Sequence, residues 1–136
     1  MCWAWTSDSL PRLRESMQSA PTHFFLCSER NAQTCVVDGD TLRYQGERIR
    51  LADINAPEVF SPQCAQEAWL GRRATRRLQE LVNAGPFEIA SSGLRDEDTY
   101  GRKLRVLLRD GRSLGDILVF EGLAHPWRGY KEDWCG

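Results

Sequence analysis

Val36-Val37-Asp38-Gly39-Asp40-Thr41-Leu42-Arg43-Tyr44-Gln45-Gly46-Glu47-Arg48-Ile49-Arg50-Leu51-Ala52 holds two turn signals, Asp38-Gly39-Asp40 and Gln45-Gly46, around short β-prone runs. Asp and Gly favour turns, and Thr41 to Tyr44 and Arg48 to Ala52 have strand composition, so the stretch predicts a β-hairpin. Upstream, Phe24 to Cys27 and Thr34 to Val37 are two more β-prone pieces separated by a polar turn around Arg30 and Asn31. Downstream, Pro57 and Pro62 break the pattern. Ala65, Ala68, Trp69, Ala74, Leu78, Leu81 and Val82 then recur at helical spacing over residues 63–83, with Gly85 as a stop signal. Phe87 to Ala90 and Leu104 to Leu108 suit strands, and Ser113 suits the cap of a helix over Leu114 to Glu121, stopped by Gly122. Short strands around helices without βαβ alternation predict an α+β fold, a small barrel or sheet.

The chain has 136 residues, the size of one domain. Residues 1–22, rich in Ser, Arg and Gln, read as a flexible N-terminal arm with one helical turn near Leu13 to Met17, and residues 23–136 as the domain. With 41% hydrophobic and 27% charged residues, wholesale disorder is excluded, and no apolar run approaches the roughly 20 residues of a membrane span. Eighteen Lys and Arg against 19 Asp and Glu leave a net charge of −1. Locally there are three of each sign over 1–37, five acids against three bases over 38–62, two against four over 63–85, and nine against eight over 86–136. A polyanionic partner must therefore meet placed arginines and not a general positive field. Arg72, Arg73, Arg76 and Arg77 on the first helix read as a solvated outer face before they read as phosphate contacts.

Three clusters carry candidate chemistry. Asp38-Gly39-Asp40 sets two carboxylates on a turn, where a hard cation can take oxygen ligands, although such turns are also common without metal. In Arg50-Leu51-Ala52-Asp53-Ile54-Asn55-Ala56-Pro57-Glu58, a strand guanidinium matches a phosphate bidentately and a loop carboxylate can orient or deprotonate water; a surface salt bridge is the plainer reading. Asp98-Thr99-Tyr100-Gly101-Arg102 offers an aromatic face for a base or sugar and a second guanidinium.

Together, Val37 to Thr41, Arg50-Leu51 to Ala56-Pro57-Glu58, Tyr100-Gly101-Arg102, and Leu114 through Glu121-Gly122-Leu123-Ala124 resemble the signatures of the staphylococcal nuclease-like, or thermonuclease, family in content and order, over about residues 34–128. The resemblance implies a five-stranded OB-fold-type β-barrel with two to three packed helices and Ca²⁺-dependent endonucleolytic cleavage of DNA and RNA phosphodiesters. It implies, position by position, that Asp40 is the first Ca²⁺-binding carboxylate and that Ala56 offers its backbone carbonyl. Glu58 becomes the residue that activates or positions water, Arg50 and Arg102 the phosphate clamp, and Tyr100 a nucleotide contact, with Trp127 as a stacking candidate. One ion, a single-stranded or flexible DNA or RNA substrate and a monomeric state complete the expectation.

The family's second Ca²⁺-binding aspartate is Asn55 here. An amide oxygen still coordinates Ca²⁺, but the site loses a negative charge, so weaker metal binding and slower hydrolysis are expected. Asp53, two residues earlier, falls on the same side as Asn55 if the strand continues, and is a candidate substitute. A catalytically silent OB-type nucleic-acid or protein-binding module is the alternative reading.

Five cysteines, at 2, 27, 35, 64 and 135, leave three readings open: disulfides pairing Cys27 with Cys35 and Cys64 with Cys135, a zinc site, or reduced thiols. The N-terminus does not read as a secretory signal, while the cysteine content suggests a periplasmic or secreted protein. His23 and His125 belong to no motif and read as solvated or packed.

Overall fold

A computed structural model of the chain describes residues 15–16, 22–93 and 95–136. Strands β1 (Glu15–Ser16), β2 (Phe25–Leu26), β3 (Cys35–Asp38), β4 (Thr41–Tyr44), β5 (Glu47–Leu51) and β6 (Ile54–Asn55) precede helix α1 (Ala65–Asn83). Strands β7 (Glu88–Ser91), β8 (Lys103–Arg109) and β9 (Arg112–Ser113), helix α2 (Leu114–Phe120) and β10 (His125–Pro126) follow. The main sheet runs β1-β7-β8-β5-β4-β3-β2, with β9 on β8, and β10 pairs β6 in a second, two-stranded sheet. Neighbours are antiparallel except β2 with β3 and β5 with β8. The expected hairpin is present in register, with Thr41 opposite Arg50 and Tyr44 opposite Glu47. The α+β expectation, with its strands and two helices, is borne out.

The helical turn expected over Leu13 to Met17 is corrected in part: Glu15 and Ser16 pair with Ile89 and Glu88 as a strand. The remainder of the expected arm up to residue 21, and Cys2 within it, lie outside the described residues.

Apolar alternation in the strands and the helical stripe meet in one core. Ala74, Leu78, Leu81 and Val82 of α1 pack with Phe24, Val36, Leu42, Ile49, Leu51, Leu107, Leu114 and Leu118. Two glycines permit the close approaches that this packing needs. A Cβ on Gly39 would lie 2.7 Å from Ala74 Cβ and 2.8 Å from Ala56 Cβ, so the Asp38-Gly39-Asp40 turn sits directly against α1. One on Gly71 would lie 2.8 Å from the Glu58 carbonyl oxygen, so α1 also abuts the loop that carries Glu58. Helix α1 ends near the anticipated Gly85, where Arg109 of β8 donates to the Leu81, Gly85 and Pro86 carbonyls and supplies the cation that its last turn lacks. Ser113 caps α2 by accepting the Gly115 and Asp116 N–H groups.

Of the three readings of the cysteines, the disulfide one is found, with Cys27–Cys35 and Cys64–Cys135 bonded. That outcome sets aside the zinc and reduced-thiol readings for these four cysteines. No described helix is long and apolar enough to cross a membrane.

Candidate active site

The β3–β4 turn, the end of β5 and the start of β8 converge because β5 lies between β4 and β8. A register shift in β3 between Val36 and Asp38 bulges the strand where it enters the turn, a device that re-aims a side chain. Asp38, Asp40, Arg48, Arg50, Glu58, Tyr100, Arg102 and Lys131 line an open cleft of about 350 Å³. Six residues singled out from sequence (Asp38, Asp40, Arg50, Glu58, Tyr100 and Arg102) therefore meet there.

Each is held by identifiable bonds. Asp40 is buried; its Oδ1 accepts from Thr41 Oγ1 at 3.1 Å and its Oδ2 from the Ala56 N–H at 2.8 Å, with Arg50 Nη2 at 3.5 Å. Arg50, also buried, donates from Nη1 to the Leu51 and Ile54 carbonyls, the latter at 2.9 Å, which fixes the guanidinium against the carboxylate. Arg102 Nε donates to Asp98 Oδ2 at 2.7 Å, and Asp98 Oδ1 accepts the Tyr100 and Arg102 N–H groups at 2.9 Å. One carboxylate thus shapes the turn and aims the guanidinium, whose Nη1 lies 3.5 Å from Thr41 Oγ1. Burial acts to raise the Asp98 carboxyl, but these bonds from Arg102 and Tyr100 outweigh it and hold the group below the ordinary aspartate range. Asp38 moves the other way. Burial first, then the neighbouring Asp40 and Glu58 carboxylates, push it well above that range.

Trp127 lies beside this group and not within it. It shares an adjoining cleft of about 570 Å³ with Arg50, Tyr100, Arg102 and Leu104, its ring 5.5 Å from the Arg50 guanidinium carbon. Asn55 and Ala56 line a third recess, which shares Glu58 and Lys131 with the first cleft. Asn55 is 2% exposed, and its Oδ1 has no hydrogen-bond partner among the described residues. Asp53 lines neither this recess nor the 350 Å³ cleft: strand β5 stops at Leu51, residues 52–53 turn, and Asp53 Oδ2 accepts from Ser113 Oγ at 2.6 Å, while its Oδ1 has no hydrogen-bond partner among the described residues. The four arginines of α1 stay outside the 350 Å³ cleft. Arg77 pairs with Glu121 and Arg76 with Glu29, and Arg73 lies over Trp69, as expected of an outer face.

The chemistry of the residues fits a hard cation: Asp40, Asn55 and the Ala56 carbonyl supply only oxygen, and Asn55 Oδ1 is a buried acceptor with no hydrogen-bond partner among the described residues. Among the described residues no three His, Cys, Asp or Glu side chains form a metal cluster by themselves, so the amide and carbonyl oxygens would be part of the set.

Sequence reasoning missed Lys131, Glu67 and Arg48. Lys131 Nζ lies 2.6 Å from Glu58 Oε2, a contact across 73 positions that no local pattern encodes. Glu67, 6% exposed, accepts the Glu58 N–H at 3.0 Å and the Gln63 N–H at 2.8 Å and so fixes the loop. Its signal was available: Cys64 caps α1 by accepting the Glu67 N–H, and Cys64-x-x-Glu67 has the spacing of a capping box. Arg48, opposite Arg43 in the hairpin, donates to the Tyr100 carbonyl at 2.7 Å.

Residues 48–134 match the family described as Staphylococcal nuclease homologue. Among curated proteins, endonuclease YncB of Bacillus subtilis (strain 168) is 34% identical over 92 residues, 65% of this chain and 43% of that protein. The SPbeta prophage-derived endonuclease YokF of the same strain is 36% identical over 92 residues, 65% of this chain and 31% of that protein. The succinoglycan biosynthesis protein ExoI of Rhizobium meliloti (strain 1021) is 33% identical over 97 residues, 68% and 49% of the two chains. The chain thus spans less than half the length of each of these relatives. The matched stretch covers more than half of the chain and carries Arg50, Asn55, Glu58, Tyr100 and Arg102 on an α+β, OB-type scaffold, so the chain belongs to the staphylococcal nuclease homologue family.

Proposed function

We propose that this domain is a Ca²⁺-dependent endonuclease that hydrolyses phosphodiester bonds of single-stranded or flexible DNA or RNA, working as a monomer. The observation that carries the reading is the meeting of Asp40, Glu58, Arg50 and Arg102 on one cleft, with Tyr100 at its rim. The endonuclease names of YncB and YokF support the reaction class. The two disulfides support an oxidising, periplasmic or secreted location.

Asp40, Asn55 and the Ala56 carbonyl would hold the ion, which when bound supplies positive charge to a phosphoryl oxygen. Arg102, aimed by Asp98, and Arg50, fixed by two carbonyls, bind the remaining phosphoryl oxygens and neutralise the charge that grows on them. Glu58 takes a proton from water as the water oxygen bonds to phosphorus and the opposite phosphorus–oxygen bond breaks, the leaving oxygen taking a proton from solvent. Tyr100 and Trp127 provide ring faces for sugar or base, which favours strands free to splay. Both guanidiniums are preset by protein acceptors, so little reorganisation is needed as charge develops.

The test is cleavage of single-stranded DNA and RNA with Ca²⁺, with Mg²⁺ and with chelator, comparing wild type, Asn55→Asp and Glu58→Ala. Metal-dependent cutting that Glu58→Ala removes and Asn55→Asp enhances supports the reading. Salt-sensitive strand binding with no cutting by wild type in any metal replaces it with a silent binding module.

A further inference from the structure

Glu58 is supported from two sides by segments far apart in sequence. Its backbone N–H donates to Glu67 Oε2 at 3.0 Å, and its side-chain Oε2 accepts from Lys131 Nζ at 2.6 Å. Glu67 lies in the first turn of α1, immediately after Cys64, and Lys131 lies in the C-terminal segment just before Cys135. The Cys64–Cys135 disulfide therefore joins covalently the two segments that hold Glu58. Lys131 is also the residue shared by the 350 Å³ cleft, the aromatic cleft and the Asn55 recess.

The pair is open to water, with Lys131 64% and Glu58 31% exposed, so it adds little to stability. Orientation is a different matter. An ammonium on Oε2 restricts the carboxylate to few rotamers and leaves Oε1 for a partner in the cleft, and the covalent anchor keeps the ammonium there at low entropic cost. A lysine on an unanchored tail would seldom be in place.

We propose that Lys131 is a positioning residue for Glu58 and that the Cys64–Cys135 disulfide holds it in position. The proposal rests on the reading of Glu58 as the group that takes the proton from water. It predicts that the C-terminal segment matters for turnover, although no residue between 131 and 135 need touch the reacting phosphate.

The experiment is steady-state cleavage of a single-stranded DNA oligonucleotide in Ca²⁺ by wild type, Lys131→Met, Lys131→Arg, the Cys64→Ser/Cys135→Ser pair, and that pair combined with Lys131→Met, each also taken through a thermal melt. Lys131→Met is expected to lower kcat about 10- to 100-fold with little change in KM, at an unchanged melting temperature, and Lys131→Arg to recover most of the loss. The cystine pair is expected to melt lower and, assayed well below its melt, to show a similar fall in kcat that adding Lys131→Met does not deepen. Wild-type kcat in Lys131→Met overturns the proposal. A rise in KM alone also overturns it, because it makes Lys131 a binding group for substrate. Full multiplicative losses in the combined variant overturn the part given to the disulfide. An inactive wild type is a separate result, which sinks the nuclease reading itself.

Discussion

Asp53 Oδ2 accepts a 2.6 Å hydrogen bond from Ser113 Oγ, the same hydroxyl that caps α2 by accepting the Gly115 and Asp116 N–H groups. This oxygen thereby faces the positive end of that helix, and a Cβ on Gly115 would lie 3.0 Å from Asp53 Oδ1. Asp53→Ala should therefore destabilise the domain by about 1–2 kcal/mol, the usual range for a lost cap or buried hydrogen bond, and leave Ca²⁺ affinity unchanged. Urea denaturation and calorimetric Ca²⁺ titration check the two halves; a large loss of Ca²⁺ affinity would return Asp53 to the metal site.

Gly71 transmits helix packing to the Glu58 loop. Its missing Cβ would lie 2.8 Å from the Glu58 carbonyl oxygen and 3.1 Å from that of Pro57, both backbone atoms that can yield only by moving the loop. Gly71→Ala should cost about 1–3 kcal/mol by overpacking, despite the better helix propensity of Ala, and should lower cleavage as well. Gly85→Ala, whose Cβ would meet nothing nearer than 4.0 Å, is the control and should alter neither stability nor cleavage appreciably.

The hairpin, both helices and the Ser113 cap were legible because each is a local pattern: turn residues between β-prone runs, or apolar residues on one helical stripe. Asp40, Arg50, Glu58 and Arg102 were legible through the order of their motifs, and the sheet explains why order suffices, since β5 lies between β4 and β8. The pairing of β6 with β10 was not legible, being a two-residue contact that sets Asn55 opposite His125 across a long separation. The candidacy of Asp53 depended on the strand continuing. Alternation would put it beside Asn55, but the chain turns at residues 52–53 and the alternation is broken there.

Acid should disorganise the Arg102 side of the cleft through Asp98. Its folded-state acidity is strengthened, so its contribution to stability is complete above the ordinary aspartate value of 3.8 and is lost as pH falls through the lower, folded value. Once protonated, Asp98 no longer pulls on the guanidinium. Asp98→Asn should weaken Arg102 positioning at neutral pH and reduce the acid dependence of unfolding below about pH 4. Chemical denaturation from pH 2 to 6 tests this, and an unaltered pH profile in the variant would refute it.

The two cystines should differ in worth. Closing a loop over a sequence separation of 71 removes more freedom from the unfolded chain than closing one of 8. The loop-entropy relation gives about 4.4 kcal/mol for Cys64–Cys135 and about 2.5 kcal/mol for Cys27–Cys35. Paired Cys→Ser variants, unfolded in guanidinium, should rank in that order; the reverse ranking would mean that residual structure in the unfolded chain already brings Cys64 and Cys135 together.

Asn55→Asp separates the metal question from the cleavage assay. Asn55 is 2% exposed, with an unpartnered Oδ1, in a neighbourhood already carrying the Glu58 and Glu67 carboxylates. The cation that lines the recess, Lys131, already pairs with Glu58, so a buried carboxylate there is poorly compensated unless an ion is bound, and in chelator the variant should lose about 2–4 kcal/mol relative to wild type. Added Ca²⁺ offsets this loss, since an ion that binds only the folded chain stabilises it by mass action, by about 2.7 kcal/mol at one hundred times the dissociation constant. Asn55→Asp should therefore show a larger Ca²⁺-induced rise in melting temperature than wild type, at a lower midpoint Ca²⁺ concentration. If Ca²⁺ leaves the variant's melting temperature where chelator does, Asn55 is not at an ion site and the oxygen set formed with Asp40 and Ala56 serves another purpose.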